Sequence, residues 1–377
     1  MTAVAPQLNL VATVMTSDGL FSYWTSISFE RTYGEPISHL TLSVAEPGQN
    51  VPGWSNQQLA VMQQATATFA GQPVINGMID MRQVIYDKES HQVQIRVASN
   101  TINSEASTVD PATDGQGGQF TKQTFLQIAQ SVMQQCGVNV KLAGNPSGAD
   151  LPFETASEGN GETRIQFVNR LASMRDLHAV DDTNGNLVYG RPGDNPQSSG
   201  LSFVEGQNIL AARSIQQANL QVPQIQAKGQ QKGTDDTNGS TAAQVLATAT
   251  NANYKGPPRP FVLMMEHTAS IPEAQLRANH EMSLINLQQF DVVITVQGWL
   301  APSGQLWSNF IGNSVSLWSP MIMPLGKAYQ GLLIKGVKLM QDNEGGTRTE
   351  ISLCIPQGLG NGGAMINPIA LGTVNAP

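Results

Sequence analysis

VINGMIDMRQVIYDKESHQVQIRV, residues 74–97, and LLIKGVKLMQDNEGGTRTEISLCI, residues 332–355, read as two copies of one unit: strand, acidic turn, strand. Met78 and Ile79 answer Leu333 and Ile334, and the turn acids Asp87 and Glu89 answer Asp342 and Glu344. After one inserted residue, Ile95 and Val97 answer Ile351 and Leu353. In the second strand of each copy apolar residues recur at every other position, as a half-buried strand requires. Two amphipathic hairpins can resemble each other by chance. If the echo is real, the chain holds two related β domains with other elements between them.

Outward from the first copy, residues 8–100 divide into LNLVATV, YWTSISFER, LTLSVA, TATFAG, PVINGMID and HQVQIRVAS, separated by turn formers. This is the pattern of an antiparallel domain closed as a small barrel. After the glycine-rich break DGQGG at 114–118 the period becomes helical. Thr121 is the expected N-cap, Phe125, Ile128, Ala129, Val132 and Met133 share a face, and Gly137 ends the helix. A second helix is expected from about 162 to 175, with Ile165, Val168, Leu171 and Ala172 buried. The helices look alike: Thr124, Gln127, Ile128 and Val132 correspond to Thr163, Gln166, Phe167 and Leu171, and each runs into a short strand.

LHAVDDTNGNLVYG, residues 177–190, offers Asp182, Asn184 and Asn186 at the spacing of calcium-loop ligands. The glycine stands at 185, too early, and Gly193 occupies the place of the bidentate glutamate, so the calcium reading fails. Asn184-Gly185 between two strands instead predicts a hairpin with a type I′ turn. Strand-like segments follow in 201–231, then KGTDDTNGSTAAQVLATATNANYKGPPRP, 232–260, which its composition marks as a long mobile loop. A helix over 272–288 begins with Pro272 in its first turn, and strands resume after it. The expected division is a first β-barrel-like domain at 1–110, an α+β domain at 111–196, a second β-barrel-like domain at 197–356 and an extended tail at 357–377. The fold class is α+β, mainly β.

Charged residues make up only 13% of the chain and the formal charge is -8. Amides and hydroxyls therefore carry most of the polar surface, which suits lasting contact with other proteins. With a pI near 5.1 and basic residues scattered singly, no groove for phosphates is expected. Cys136 and Cys354 have no CxxC partner and read as small core residues in a reducing compartment, with no disulfide. The N-terminus lacks the features of a signal peptide, and no apolar run approaches the roughly 20 residues of a membrane span.

Catalytic signatures fail one by one. His280-Glu281 lacks a second histidine at 284, where Leu stands, and His39, His91, His178 and His267 are isolated in sequence. Gly326-Lys327 has no upstream glycine of a phosphate loop, GLGNGG at 358–363 opens no helix, and no GxSxG occurs. Glu154, Glu158 and Glu162 could serve a hydrolase, but SEGNGE reads as a loop into a helix N-terminus. Trp24, Trp54, Trp299, Trp307 and Trp318 could stack sugars, yet their positions suit barrel core or rim better. No catalytic, metal or cofactor residues are assigned.

The order of SYWTSISFER, the PVINGMID hairpin, FTKQTFLQIAQSVMQQCGV, GETRIQFVNRLASMRDLHAVDDTNGNLVYGR, EGQNILAARSI and GLLIKGVKLMQDNEGGTRTEISLCIP resembles the baseplate hub proteins of Mu-like contractile phage tails, related in fold to the hub part of type VI secretion spikes. The most specific pieces are the helix and hairpin at 161–190 and GGTRTEISL near the end; the loop at 232–260 departs from the pattern. The resemblance implies a homotrimer whose paired β domains mimic sixfold symmetry, a structural adaptor without enzymatic activity. It would join the hexameric tail tube to the trimeric central spike, contact other baseplate proteins and let DNA through its lumen. It implies a place in the virion, assembled in the host cytoplasm, with no membrane insertion and no cofactor.

Overall fold

The computed structural model describes residues 11–45, 59–88, 91–110, 117–217, 221–231, 244–251, 254–265, 269–322 and 328–360. The period-two segments of the first third form β1 (Ala12–Thr16), β2 (Gly19–Phe21), β3 (Ser26–Thr32), β4 (His39–Ala45), β5 (Gln64–Phe69), β6 (Gln72–Tyr86) and β7 (His91–Ser99). The middle holds β8 (Gln119–Gln123), α1 (Phe125–Gln134), β9 (Val140–Ala143), β10 (Phe153–Ser157), α2 (Arg164–Ser173), β11 (His178–Asp181) and β12 (Leu187–Gly190). The last part holds β13 (Ser198–Val204), β14 (Ala211–Gln216), β15 (Gln224–Gln230), β16 (Gln244–Thr250), β17 (Pro260–Met264), α3 (Ile271–Gln289), β18 (Phe290–Gln297), β19 (Ser314–Trp318), β20 (Ala328–Asp342) and β21 (Gly346–Cys354).

The first and last groups of strands join in one sheet, ordered β14-β18-β21-β20-β3-β4-β7-β6-β5-β1-β2, with β19 also on β20 and β13 on β19. They do not bury separate interiors. A single apolar cluster runs from Val14, Phe29 and Phe69 to Trp299, Leu339 and Ile351. Trp299 is fully buried, its ring centroid 4.5 Å from that of Phe69, and its Nε1 donates to the carbonyl of Met340.

The echoed segments are the β6–β7 and β20–β21 hairpins, and their likeness extends to the hydrogen-bond register. β6 and β20 each have 15 residues, and β7 and β21 each have 9. Ile79 opposes Val97, after which a bulge brings Met81 opposite Arg96; Ile334 opposes Leu353, after which a bulge brings Gly336 opposite Ser352. The neighbouring strands repeat as well: Val97 opposes Leu40 of β4, and Leu353 opposes Val292 of β18. Leu40 in turn opposes Phe29 of β3, and Val292 opposes Ser214 of β14. Thus β3-β4-β7-β6 and β14-β18-β21-β20 are two four-stranded modules laid side by side. A bulge is a position-specific device that re-aims a strand, so the same bulge in both copies sets chance amphipathicity aside.

Between the modules in chain order lies the helical unit. α1 and α2 pack Phe125, Ile128, Val132, Phe167, Val168 and Leu171 into a core of their own with β9 and β12. Each helix starts with a capping box, Thr124 with Gln127 and Thr163 with Gln166, so the likeness between them includes their first turns. Thr121, the expected cap, lies in β8 instead, because the pairing of β8 with β10 continues to Gln123 opposite Phe153.

Two further expectations are corrected. The Asn184-Gly185 turn joins β11 and β12, but only Gly185 has positive φ (78°). Gly185 N–H donates to the Asp182 carbonyl and Asp182 N–H to that of Asn186, the pattern of a type I turn with a glycine bulge in place of type I′. In 232–260, residues 232–243 lie outside the described residues, but 244–250 form β16, paired along its length with β15. Val245, Ala247 and Ala249 alternate into a core under α3, against Ala274, Ala278, Met282 and Ile285. Small residues gave this strand the composition of a loop; their period of two is what allows the helix to approach. α3 itself spans Ile271–Gln289, close to the expected helix. Of the expected tail, Gln357 and Gly358 belong to a 3-10 turn and Leu359 is buried, while 361–377 lie outside the described residues.

Candidate assembly interface

The place where the two modules meet shows what a module edge can bind. Beyond its bulge, β20 leaves β19 and pairs with β3: Val337 opposes Arg31, Lys338 opposes Glu30, Leu339 opposes Phe29 and Met340 opposes Ser28. Leu339 and Phe29 are fully buried, and Lys338 Nζ lies 3.8 Å from Glu30 Oε2 on the other face. The equivalent outer half of β6, from Met81 to Ile85, pairs with β7 on one side, and among the described residues no strand pairs with its other side. At the far end of the sheet β14 likewise pairs only with β18. The two edges leave Val84 46%, Ile85 50% and Ile215 39% exposed. An edge strand presents a row of backbone donors and acceptors, and proteins ordinarily blunt or cover it.

The helical unit is fixed to the first module by a buried ion pair. Arg31 Nε lies 3.2 Å from Asp181 Oδ1, with side chains 5% and 0% exposed. Asp181 also accepts from the hydroxyl and backbone N–H of Ser38, and Arg31 donates to the Val74 carbonyl at 2.8 Å. These contacts join residues 150 positions apart in the chain. The β11–β12 turn leans on the same module: Asn76 Nδ2 donates to the Asn184 carbonyl, and a Cβ on Gly185 would come within 2.8 Å of the Asn76 carbonyl oxygen. That close approach, together with its positive φ, explains the glycine. Asp182 spends its carboxylate on the turn. Burial raises its pKa, but hydrogen bonds from Asn186 and Asn184 and the charge of Lys141 outweigh burial and hold it below the usual range.

On the opposite side of the unit a polar cluster meets α3. Asp176, His178 and His280 place one ligand-type atom each within 4.8 Å of one another, a grouping that could hold a metal ion. The histidine rings lie 4.9 Å apart, and His280 Nδ1 is 3.5 Å from Asp176 Oδ1. Arg191 Nη1, 3.4 Å from Asp176 Oδ2, already brings a positive charge into this space, and His178 Nε2 bonds the Ser283 hydroxyl at 3.2 Å. The guanidinium opposes a second cation there. Burial pushes the Asp176 carboxyl well up and His178 well down, while His280 is lowered to about 4 by burial, with Arg277 adding to the fall. Nearby, Arg175 pairs with Glu273 of α3 at 2.8 Å and lies over the Phe153 ring. The arrangement anchors α3 to the helical unit. His178 and His280 are far apart in sequence, and no spacing rule could have joined them.

Of the other residues singled out in sequence, Glu158 and Glu162 line one open cavity with Arg170. Glu162 receives two hydrogen bonds of 2.7 Å from Arg170 and caps the Gly159 N–H; burial raises its pKa, but these contacts leave it below the usual carboxylate range. Glu158 accepts from Val109 N–H, and Glu154 is exposed on β10. Glu162, held low by Arg170, is not the raised, protonated acid that glycoside cleavage needs. Trp299 and Trp307 are core residues, Trp24 and Trp318 are half-buried, and Trp54 lies outside the described residues. Glu281 is committed to Arg277 at 3.0 Å. Burial lowers His39, helped by Arg96, while His267 and Gly326-Lys327 lie outside the described residues. Cys136 and Cys354 are both free thiols, and burial pushes Cys354 up to about 12. Among the described residues no helix is long and apolar enough to cross a membrane.

Residues 106–191, the helical unit, match the family model of the second domain of gp44-like baseplate hub proteins. No curated protein sequence matches the chain. In three dimensions it is similar to the 43 kDa tail protein of prophage MuSo2 from Shewanella oneidensis, with a TM-score of 0.76 and 23% identity over 93% of this chain and 99% of that one. It is also similar to a tail protein from Neisseria meningitidis MC58, with a TM-score of 0.71 and 16% identity over 93% and 98% of the two chains. A component of the Escherichia coli type VI secretion system, described as similar to the T4 tail proteins gp27 and gp5, aligns with a TM-score of 0.51 and 9% identity over 88% of this chain and 73% of that one. The repeated modules, the anchored helical unit and these likenesses agree: residues 106–191 match the second domain of gp44-like baseplate hub proteins, within a mainly β fold similar to that of phage tail proteins.

Proposed function

We propose that this protein is the baseplate hub of a contractile phage tail, a homotrimeric ring that adapts a hexameric tail tube to a trimeric central spike. The observation that carries this reading is the duplicated four-stranded module with its shared bulge register. Two modules in each of three chains present six near-equivalent positions to a tube and three identical chains to a spike. A rigid adaptor of this kind needs shape and satisfied polar contacts rather than an active site. It would pass the force of sheath contraction to the spike and then leave a passage for DNA. The formal charge of -8 suits a lumen that does not hold phosphates. In this reading 1–110 and 197–356 supply the modules and 111–196 the helical unit.

Light scattering of the purified chain tests the ring: a mass three times that of the 40.3 kDa protomer is expected, and a stable monomer at high concentration would sink it. Muralytic assay of the same sample, with Glu154, Glu158 and Glu162 each changed to Gln, tests the hydrolase alternative. Lysis that disappears in one of these variants would replace the structural reading.

A further inference from the structure

A ring of repeated modules must repeat its joints as well as its modules. Within the chain the joint is the outer half of β20 on β3, in a register set by Leu339 opposite Phe29. The paired registers make Ile334 equivalent to Ile79, and hence Leu339 to Val84. They also make Phe29 equivalent to Ser214, through Leu40 with Val97 and Val292 with Leu353. We infer that the outer half of β6 pairs antiparallel with β14 of a second copy of this chain, with Arg82 opposite Gln216, Gln83 opposite Ile215, Val84 opposite Ser214 and Ile85 opposite Arg213. This rests on the ring reading and gives it its contact surface.

The chemistry of both edges fits such a partner. Val84 takes the place of Leu339, which the internal joint buries completely, while Val84 is 46% exposed in the single chain. On the other face Ile85 and Ile215, both exposed, become diagonal neighbours close enough to touch. Neither Met81–Tyr86 nor β14 contains proline, and each carries a single charged residue, Arg82 and Arg213. Because the two edges lie at different ends of the module array, the pairing is head to tail. One isologous contact cannot satisfy it, and successive copies either close into a ring or extend as a filament.

The test uses the full chain with Cys136→Ser; Cys354 is fully buried and stays. Val84→Cys with Ser214→Cys, and Ile85→Cys with Arg213→Cys, are oxidised and run without reductant. Adjacent cross-strand pairs alternate in hydrogen bonding, and the unbonded kind brings Cα atoms to about 4.5 Å, within disulfide reach. Chains crosslinked up to the trimer are expected from at least one pair. Val84→Cys with Arg213→Cys should remain unlinked, since these side chains point to opposite faces. A trimer by light scattering that neither matched pair crosslinks would overturn the register and leave the ring standing. A monomer in the parent chain would remove the ring itself. Val84→Lys supplies an independent readout: the protomer should keep its circular dichroism melt while the trimer mass is lost, and a persistent trimer refutes the joint.

Discussion

Replacing Asp181 by Ala should destabilise the protein through a charge left behind rather than through a contact removed. Arg31 would keep its hydrogen bond to the Val74 carbonyl and its place over the Phe29 ring, but its guanidinium, 5% exposed, would face no anion. Ser38 would also lose the acceptor for its hydroxyl and N–H. Breaking one side of a buried pair costs about 3–5 kcal/mol. For 377 residues unfolding as a unit, with about 2.1 cal/mol/K of entropy per residue, that is a fall in Tm of about 5 °C. Adding Arg31→Met removes the stranded charge, and the double variant should regain more than half of the loss, since buried ion pairs and apolar replacements of similar volume are often near equal. Urea titration of the two single variants and the double one measures the cycle. A loss below about 1 kcal/mol for Asp181→Ala, or a double variant as unstable as the two losses combined, would refute the view that this pair joins the helical unit to the sheet.

Gly77→Ala should prevent folding of the first module, because a Cβ would overlap the Ala98 carbonyl, whereas Gly34→Ala, at φ 93° with open space around it, should cost only about 1 kcal/mol; soluble yield and Tm separate the two. Thr124→Ala and Thr163→Ala each remove a capping box and should each cost about 1 kcal/mol by urea unfolding, the likeness of the helices extending to their caps. Acid should destabilise the α3 joint. Burial holds His280 at about 4, so between its ordinary 6.5 and that value the unfolded chain takes up a proton the folded one refuses. Its contribution is complete above pH 6.5 and falls by about 2 kcal/mol between pH 7 and 5. Asp176, raised by burial, pulls the opposite way above its ordinary 3.8, and His178 acts with His280. Urea midpoints of His280→Gln should therefore vary less over that interval than those of the parent; an equal acid loss in both would remove His280 from the account.

Local regularities made much of this fold readable in advance. The alternation in HQVQIRVAS and the helical stripe from Phe125 to Met133 report on neighbours a few residues away, where side-chain direction follows from backbone period alone. The echo between the two hairpins was visible for the same reason, since each copy carries its own strand, turn and strand. Errors arose where a short-range signal had two meanings. Asn-Gly favours type I′, but the Asp182 side chain holds the backbone in a type I turn followed by a bulge. The Ala-Thr alternation of β16 carries too little hydrophobicity to stand out, although it forms the floor beneath α3.

By itself, the amino-acid order determined the mainly β character, the two hairpin copies, the paired helices and the scarcity of catalytic patterns. Which strands become neighbours, and in what register β20 meets β3, was decided only in three dimensions, as was the meeting of Arg31 with Asp181 and of Asp176 with His178 and His280. Hydrophobic period depends on local backbone geometry, whereas strand order and buried charge pairing depend on which distant segments come to share one core.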